Sequence, residues 1–346
     1  MSSNLSNAVL KWYKKNGRNN LPWKVKDPYK IWISEIMLQQ TQVSTVIPYY
    51  LKFIKKYPNL KSLASAHLDD LMLIWSGLGY YRRIKNIHLS SQIIAREHNY
   101  NFPHKYGDIL SLPGIGRTTA SAISTFSGFS NKAILDGNVK RILIRFYEIE
   151  EENKTMLEKK LWDKSVSITP LKYTSDFIQG MMDIGSVICK RTSPECSRCP
   201  LKSMGCNYNP SHKKEKKIKQ KIKDIKMNLI VLINQSNQIY LEKIKVGMLW
   251  QGLYSSPVFT LNSHTNKWML RNNISDLKPI YRSNIIHRVT DKKIMFNTFF
   301  YFLKNDKKVS LSSKNWYNLA NINVGVPKYQ DKALDIYRSE YEKNNV

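Results

Sequence analysis

Two acidic residues and four cysteines stand where they could do chemistry. Glu35 interrupts the apolar run Ile31-Trp32-Ile33-Ser34-Glu35-Ile36-Met37-Leu38. A carboxylate is rarely buried unpaired, because leaving water costs the charged form far more than the neutral one. If buried, Glu35 would take a raised pKa and could act as a general acid. At a solvent-facing helix edge, or beside a lysine or arginine, it would be an ordinary charged side chain. Asp136 lies in Leu135-Asp136-Gly137-Asn138-Val139-Lys140-Arg141, directly before an apolar-periodic run, where an aspartate suits a helix N-cap. Cys189, Cys196, Cys199 and Cys206 are the only cysteines and follow the pattern Cys-x6-Cys-x2-Cys-x6-Cys. Four thiolates can hold a zinc ion or a 4Fe–4S cluster. Structural zinc usually presents two close pairs, and here only Cys196 and Cys199 are close. Three ligands on one loop, with the first at a helix end, suit a compact cube better, and zinc is the alternative. Lys190, Arg191, Arg198 and Lys202 make this loop positive and able to touch a phosphate.

A third chemical feature uses the backbone. Leu112-Pro113-Gly114-Ile115-Gly116 reads as a tight turn, since proline fixes its own φ and Gly114 and Gly116 can take positive φ. A helix follows, beginning near Thr118 and Thr119, with small residues Ala120, Ser121 and Ala122 allowing close packing. Such a turn aims several N–H groups at one point and can bind a phosphate without a positive side chain. Alone, it would read as an ordinary helix-turn-helix linker. Ser76-Gly77-Leu78-Gly79-Tyr80-Tyr81-Arg82-Arg83 is a second turn, able to approach a sugar-phosphate backbone and wedge a ring into a base stack. A glycine C-cap followed by core tyrosines is its plain alternative.

The elements that position these groups follow from periodicity and punctuation. Helices are expected at 5–16, from Pro28 through the segment ending at Val43, and at 44–57, 67–76, 81–98, 105–111, 137–146, 153–168 and 172–187. No strand-type alternation appears before residue 225. Strand-like runs then occur at 227–233, 238–243, 249–254 and 293–302. The expected architecture is therefore multi-domain: an all-α domain over 1–210 carrying the cysteine loop 189–206, a basic linker over 211–224, and a smaller α+β domain over 225–346. No internal repeat is found. The 346 residues include 55 Lys plus Arg against 26 Asp plus Glu, a formal net charge of +29, which points to a polyanionic partner, nucleic acid before an acidic membrane surface. Part of that excess can reflect an AT-biased genome. No apolar run approaches the roughly 20 residues of a membrane span, and no signal peptide is legible. Together with the clustered cysteines this leads us to expect a reducing, cytoplasmic setting.

Taken together, these residues resemble the helix-hairpin-helix DNA glycosylases of the endonuclease III superfamily, and within it the MutY family of adenine glycosylases. The matching words are Leu21-Pro22-Trp23, the run from Ser34 to Val43, Gly77-Leu78-Gly79-Tyr80-Tyr81, Leu112-Pro113-Gly114-Ile115-Gly116, the run from Leu135 to Arg141, Met181-Met182-Asp183-Ile184-Gly185 and the cysteine loop. They occur in order over residues 8–208. The resemblance implies excision of adenine mispaired with 8-oxoguanine or guanine in double-stranded DNA, by a monomer that flips the base out. Glu35 would be the general acid and Asp136 would stabilise the oxocarbenium-like sugar. Asn138 would help position Asp136, the water or the sugar, and Gln179 would read the adenine edge. Gln40, Thr41 and Tyr80 would fill and probe the duplex, and the Gly114–Gly116 turn would hold a phosphate. Lyase-competent relatives carry a lysine where this chain has Thr118, so a glycosylase without a strong lyase step is expected. An endonuclease III-like pyrimidine glycosylase/lyase and a catalytically silent DNA-binding relative are the alternatives. The family's last cysteine gap is one residue shorter, so Lys202-Ser203-Met204-Gly205 must bulge. The C-terminal domain resembles the family's MutT-like (Nudix-like) module through Leu249-Trp250-Gln251-Gly252-Leu253-Tyr254 and Gly325-Val326-Pro327-Lys328. Its 8-oxoguanine-reading segment appears as His287-Arg288-Val289-Thr290-Asp291, where Thr290 keeps a hydroxyl but the aromatic and second histidine are absent. Weakened 8-oxoguanine reading is therefore expected. No Nudix-box glutamate cluster is present, and nucleotide hydrolysis is not expected.

Overall fold

The computed structural model describes residues 2–209, 222–289, 291–304 and 309–341. Most of the basic stretch 211–224 and Thr290 lie outside the described residues. The chain divides into two compact units: Met1–Ser65 with Lys85–Lys216, and Ala66–Ile84 with Lys217–Val346.

The first unit is helical. Its helices are α1 (Ser2–Asn16), α2 (Pro28–Leu38), α3 (Val43–Lys56) and the short α4 (Leu60–Ala64). The second unit takes α5 (Leu68–Ile74) and the first residues of α6 (Arg82–His98). The helical unit then resumes with α7 (Tyr106–Ser111), α8 (Arg117–Phe126), α9 (Gly137–Phe146), α10 (Lys154–Ile168) and α11 (Thr174–Val187). Local chemistry sets several starts. Asp27 accepts from the backbone N–H groups of Tyr29 and Lys30, with Pro28 at the first turn, and Asn153 caps α10 in the same way. α2 ends earlier than its apolar run suggests, because Gln40 adopts φ +56 and breaks the helical path. α1 packs on α10 and α11, α9 on α10 and α11, and α2 on α3 and α8. Val9, Leu143, Phe177, Met181 and Ile184 share the core between them. Among the described residues, no strand precedes Lys223.

In the second unit the strands are β1 (Lys223–Asn234), β2 (Gln238–Tyr240), β3 (Glu242–Lys243), β4 (Tyr254–Ser255) and β5 (Val258–Phe259), then α12 (Asn262–Arg271), β6 (Tyr281–Val289), β7 (Lys292–Leu303), β8 (Trp316–Asn318) and α13 (Lys328–Tyr341). The main sheet runs β6-β7-β1-β2-β8, with β5 also on β1, and β3 pairs with β4. β1 and β7 are parallel from Lys223↔Lys292 to Asn234↔Leu303. Alternation sends Leu229, Val231 and Ile233 to one face, against Tyr329, Ala333 and Tyr337 of α13. Ile230 and Leu232 go to the other face, against Met269 of α12. A strand apolar on both faces reads as a continuous run for this reason. The run Leu249–Tyr254 differs from expectation. Only Tyr254–Ser255 is strand, because Trp250 takes φ +61 and Gly252 φ +90. Gly252 N–H donates back to the Ile244 carbonyl, and Trp250 turns its ring onto Tyr329 at 4.8 Å.

The segment 66–84 is bound into this unit by specific contacts. Ser76 Oγ donates to the Val326 carbonyl at 2.7 Å. The Asp69 carboxylate accepts from Lys243 Nζ at 2.6 Å and from the Tyr254 hydroxyl at 3.1 Å. No described helix is long and apolar enough to cross a membrane.

Candidate active site

A cleft of about 710 Å³ opens in the helical unit, and Glu35, Thr41, Thr118, Asp136, Asn138 and Gln179 line it together. These residues come from α2, the loop after it, α8, the start of α9 and α11. Gln40 is exposed beside the cleft and is not among its lining residues. Tyr80 lies in the second unit, half exposed, at φ +51, with the Arg83 guanidinium 5.4 Å over its ring.

Glu35 is the last polar residue before the apolar end of α2, and both of its neighbours, Ser34 and Ile36, are buried. Burial pushes its carboxyl up to about 7, and the charge of Asp136 adds to the rise. No hydrogen bond from a described residue reaches that carboxyl. Glu35 is thus a partly exposed carboxyl lining the cleft, and among the described residues no cation pairs with it.

Asp136 is buried as well but, unlike Glu35, it has hydrogen-bond donors. It caps α9, with Oδ1 accepting from Val139 N–H at 2.7 Å and Oδ2 accepting from Asn138 Nδ2 at 3.0 Å. Burial dominates and leaves its carboxyl above the usual carboxylate range, although these donors and the Arg141 guanidinium oppose the rise. The capping role and the cleft position coincide in one residue. Asn138 is itself fixed: its Oδ1 accepts from Arg141 Nη2 at 2.8 Å. Arg141 also donates to the carbonyls of Gly185 at 2.6 Å and Cys189 at 2.7 Å. Gly185 permits this packing, since a Cβ there would lie 2.5 Å from Asn138 Cβ.

Thr118 Oγ1 donates to the Leu135 carbonyl at 3.2 Å, tying α8 to the residue before Asp136. The turn between α7 and α8 places Gly114 at φ +80, and Ser90 Oγ of α6 donates to the Pro113 carbonyl at 3.3 Å. Gly116 is extended and forms the N-cap of α8, so the first N–H groups of that helix have no side-chain cap.

Across the cleft, Asp183 is fully buried and paired with Arg18 at 2.6 Å. Gln179 Nε2 donates to the same carboxylate at 3.3 Å. Arg18 also lines the cleft. Sequence reasoning did not single out Arg18, Asp183 or Arg141 as site residues. A usable signal existed for Asp183, an acid inside the apolar run Met181–Ile184, the same signal that marked Glu35.

All four cysteines line one cavity, together with Ile142, Arg145, Leu201 and Tyr208. Among the described residues, no three of His, Cys, Asp and Glu close in on a position for a single metal ion. Burial pushes the Cys199 thiol up to about 11, with its neighbouring thiols adding to the rise. A cationic centre would convert such a set to thiolates. Arg145 holds the loop from below, donating to the Lys190 carbonyl at 2.7 Å and the Arg191 carbonyl at 3.1 Å. The bulge expected at 202–205 is a short 3-10 turn over Lys202–Met204, closed by Gly205 at φ +96.

The chain is similar to known proteins over most of its length. The family model for the HhH-GPD superfamily base excision DNA repair protein matches residues 33–165. The chain is 40% identical over 336 residues to the adenine DNA glycosylase of Buchnera aphidicola subsp. Baizongia pistaciae, covering 94% of this chain and 95% of that protein. It is 41% identical over 345 residues to the adenine DNA glycosylase of Buchnera aphidicola subsp. Schizaphis graminum, covering 96% and 98%. Among solved structures, a thermostable thymine-DNA glycosylase matches with TM-score 0.55 at 26% identity, over 60% of this chain and 95% of that one.

Proposed function

The chain belongs to the adenine DNA glycosylases, and we propose that it excises adenine mispaired with 8-oxoguanine or guanine from duplex DNA by a two-carboxylate mechanism in the Glu35–Asp136 cleft. Adenine leaves the base stack and enters the cleft. Glu35, protonated, gives its proton to the purine ring. The N-glycosidic bond then breaks with both electrons on the departing base. Positive charge grows on the sugar, and the Asp136 carboxylate stabilises it until water adds at the anomeric carbon, leaving an abasic site. Asn138 holds Asp136 in place, and Gln179 reads the adenine edge. Thr118 has no amine to form a Schiff base, so the strand is left intact. The uncapped N–H groups at Gly116 and the Gly114 turn hold a phosphate. Gln40 and Thr41 fill and probe the duplex around the vacated position, and Tyr80, on the second unit, also contacts the duplex.

The observation that carries this reading is the contrast between two carboxyls in one cleft. Glu35 has no donor among the described residues and is pushed up to about 7, whereas Asp136 is held by two donors and a guanidinium. Burial raises both carboxyls; the donors on Asp136 favour its anion, and their lack at Glu35 favours the acid there. In the cysteine loop, Cys189, Cys196, Cys199 and Cys206 would hold a 4Fe–4S cluster. The four thiols line one cavity, and three of them on one loop after the first suit a cluster better than the two close pairs usual for zinc. When bound, such a cluster supplies thiolate bonds that fix the loop and a redox-active group. The C-terminal α+β domain is assigned as a Nudix-like reader of the opposite base, with His287 and Thr290 in its reading segment. A monomer in the cytoplasm is the working state.

The test uses duplexes with adenine opposite 8-oxoguanine, adenine opposite guanine, and thymine glycol opposite adenine, each treated with wild type and Glu35→Gln. Cleavage of adenine strands only after alkali, and only by wild type, is expected. Alkali-independent cutting at thymine glycol would instead assign the lyase chemistry, and binding without excision a silent scaffold.

A further inference from the structure

We infer that Asp183 is a positioning residue that fixes which end of the Gln179 amide faces the cleft, and so makes the base pocket selective for an amino group over a carbonyl at purine C6. The inference rests on the placement of adenine in this cleft proposed above. Asp183 is one helical turn beyond Gln179 on α11, and its side chain is 0% exposed. A buried carboxylate is tolerated only when its lone pairs are met. Arg18 meets three of them: its backbone N–H at 2.9 Å, Nε at 2.8 Å and Nη2 at 2.6 Å. Gln179 approaches the same carboxylate at 3.3 Å.

A carboxylate paired with a guanidinium has no hydrogen to donate. The Gln179 atom facing it is therefore the amide nitrogen, the only end of the amide that can donate. The amide is planar, so its carbonyl oxygen occupies the other branch; Gln179 lines the cleft, and we place that oxygen toward it. That oxygen accepts from the 6-amino group of adenine. Against a 6-oxo purine such as hypoxanthine, two lone-pair-bearing oxygens would oppose each other. A glutamine free to rotate half a turn about its last torsion would accept either base. Selectivity therefore requires the amide to be locked, and Asp183 is the group that locks it. Arg18 matters by meeting that carboxylate with three hydrogen bonds where it is buried.

Single-turnover excision is measured on duplexes carrying adenine or hypoxanthine opposite guanine, with wild type, Asp183→Asn, Gln179→Ala and the double variant. Asparagine can donate as well as accept, so Asp183→Asn releases the amide. The wild type is expected to favour adenine. Asp183→Asn should lower the adenine-to-hypoxanthine rate ratio by about tenfold or more, the scale on which sites that hydrogen-bond a substrate reject analogues. Gln179→Ala should lower it similarly, and the double variant should add nothing further. If Asp183→Asn does not fold, Arg18→Met with Asp183→Leu removes both charges together, leaving no unpaired ion, and the same fall in ratio is expected. A purely structural role would slow both substrates by one factor; an unchanged ratio in either Asp183 variant, or in Gln179→Ala, overturns the inference. A wild type that excises hypoxanthine as fast as adenine overturns it while leaving adenine excision standing. A wild type that excises neither base fails the underlying reading instead.

Discussion

At the scale of single residues, the cleft works by giving two similar carboxyls different surroundings. Because Glu35 is pushed up to about 7 by burial, its acid form is present below that pH and lost above it. The rate of excision on an adenine–guanine duplex is therefore expected to fall about tenfold per pH unit above the Glu35 pKa. Glu35→Gln should be inactive throughout, measured by alkali-revealed cleavage. The same shift has a stability consequence. A carboxyl whose folded-state pKa is raised binds more protons folded than unfolded, so its stability contribution declines as pH rises from about 4.5 to about 7. Removing the charge removes that loss. Glu35→Gln is expected to be more stable than wild type at pH 8 by about 2–3 kcal/mol at most, and equal to it near pH 4. Urea denaturation at the two pH values checks this, and equal midpoints at pH 8 would refute a buried Glu35. Catalytic sites often carry such a stability cost.

At the scale of elements, α11 packs closely against the start of α9, where Asn138 holds Asp136. The spacing depends on Gly185, whose missing side chain leaves room for Asn138. Gly185→Ala should shift Asn138 and loosen Asp136 while α11 still forms, since alanine is a better helix former than glycine. Displacing a catalytic group by an ångström costs about 10²-fold in rate. The expected result is that loss in single-turnover excision with little change in duplex affinity. A variant with wild-type rate would show that Asn138 does not position Asp136. Arg141 joins the same two helices to the Cys189 carbonyl, so the cysteine loop and the capped start of α9 share one hydrogen-bonded support.

At the scale of the whole molecule, the units are not consecutive pieces of chain. Residues 66–84, including α5 and the Tyr80 turn, belong with the sheet through Ser76–Val326 and Asp69–Lys243–Tyr254 contacts. Segments that open together exchange their amide hydrogens together. Native-state hydrogen exchange in rising denaturant should place α5 amides with those of β1 and β7, not with those of α2 and α8. Exchange of α5 with α2 would refute the grouping. The net charge of +29 belongs to this scale too. Binding to undamaged duplex should weaken steeply and log-linearly with salt, by about 0.9 log unit per log of salt for each phosphate neutralised.

Much of this protein was legible in its sequence because the governing interactions are local. Asp27 and Pro28 start α2, Asp136 starts α9, and Gly114 makes the turn before α8, each through contacts a few residues apart. The alternating faces of β1 and the four clustered cysteines are equally local patterns. What only the tertiary structure decided involves partners far apart in the chain. Whether Glu35 is enclosed depends on α8 and α9, not on its own helix. Asp183 meets Arg18 across 165 residues, and no periodicity announces such a pair. Leu249–Tyr254 has strand-like composition, yet Trp250 finds its place against Tyr329 and bends the backbone to reach it. Burial and long-range pairing are properties of the packed whole, whereas caps, turns and alternation are written within a few residues of one another.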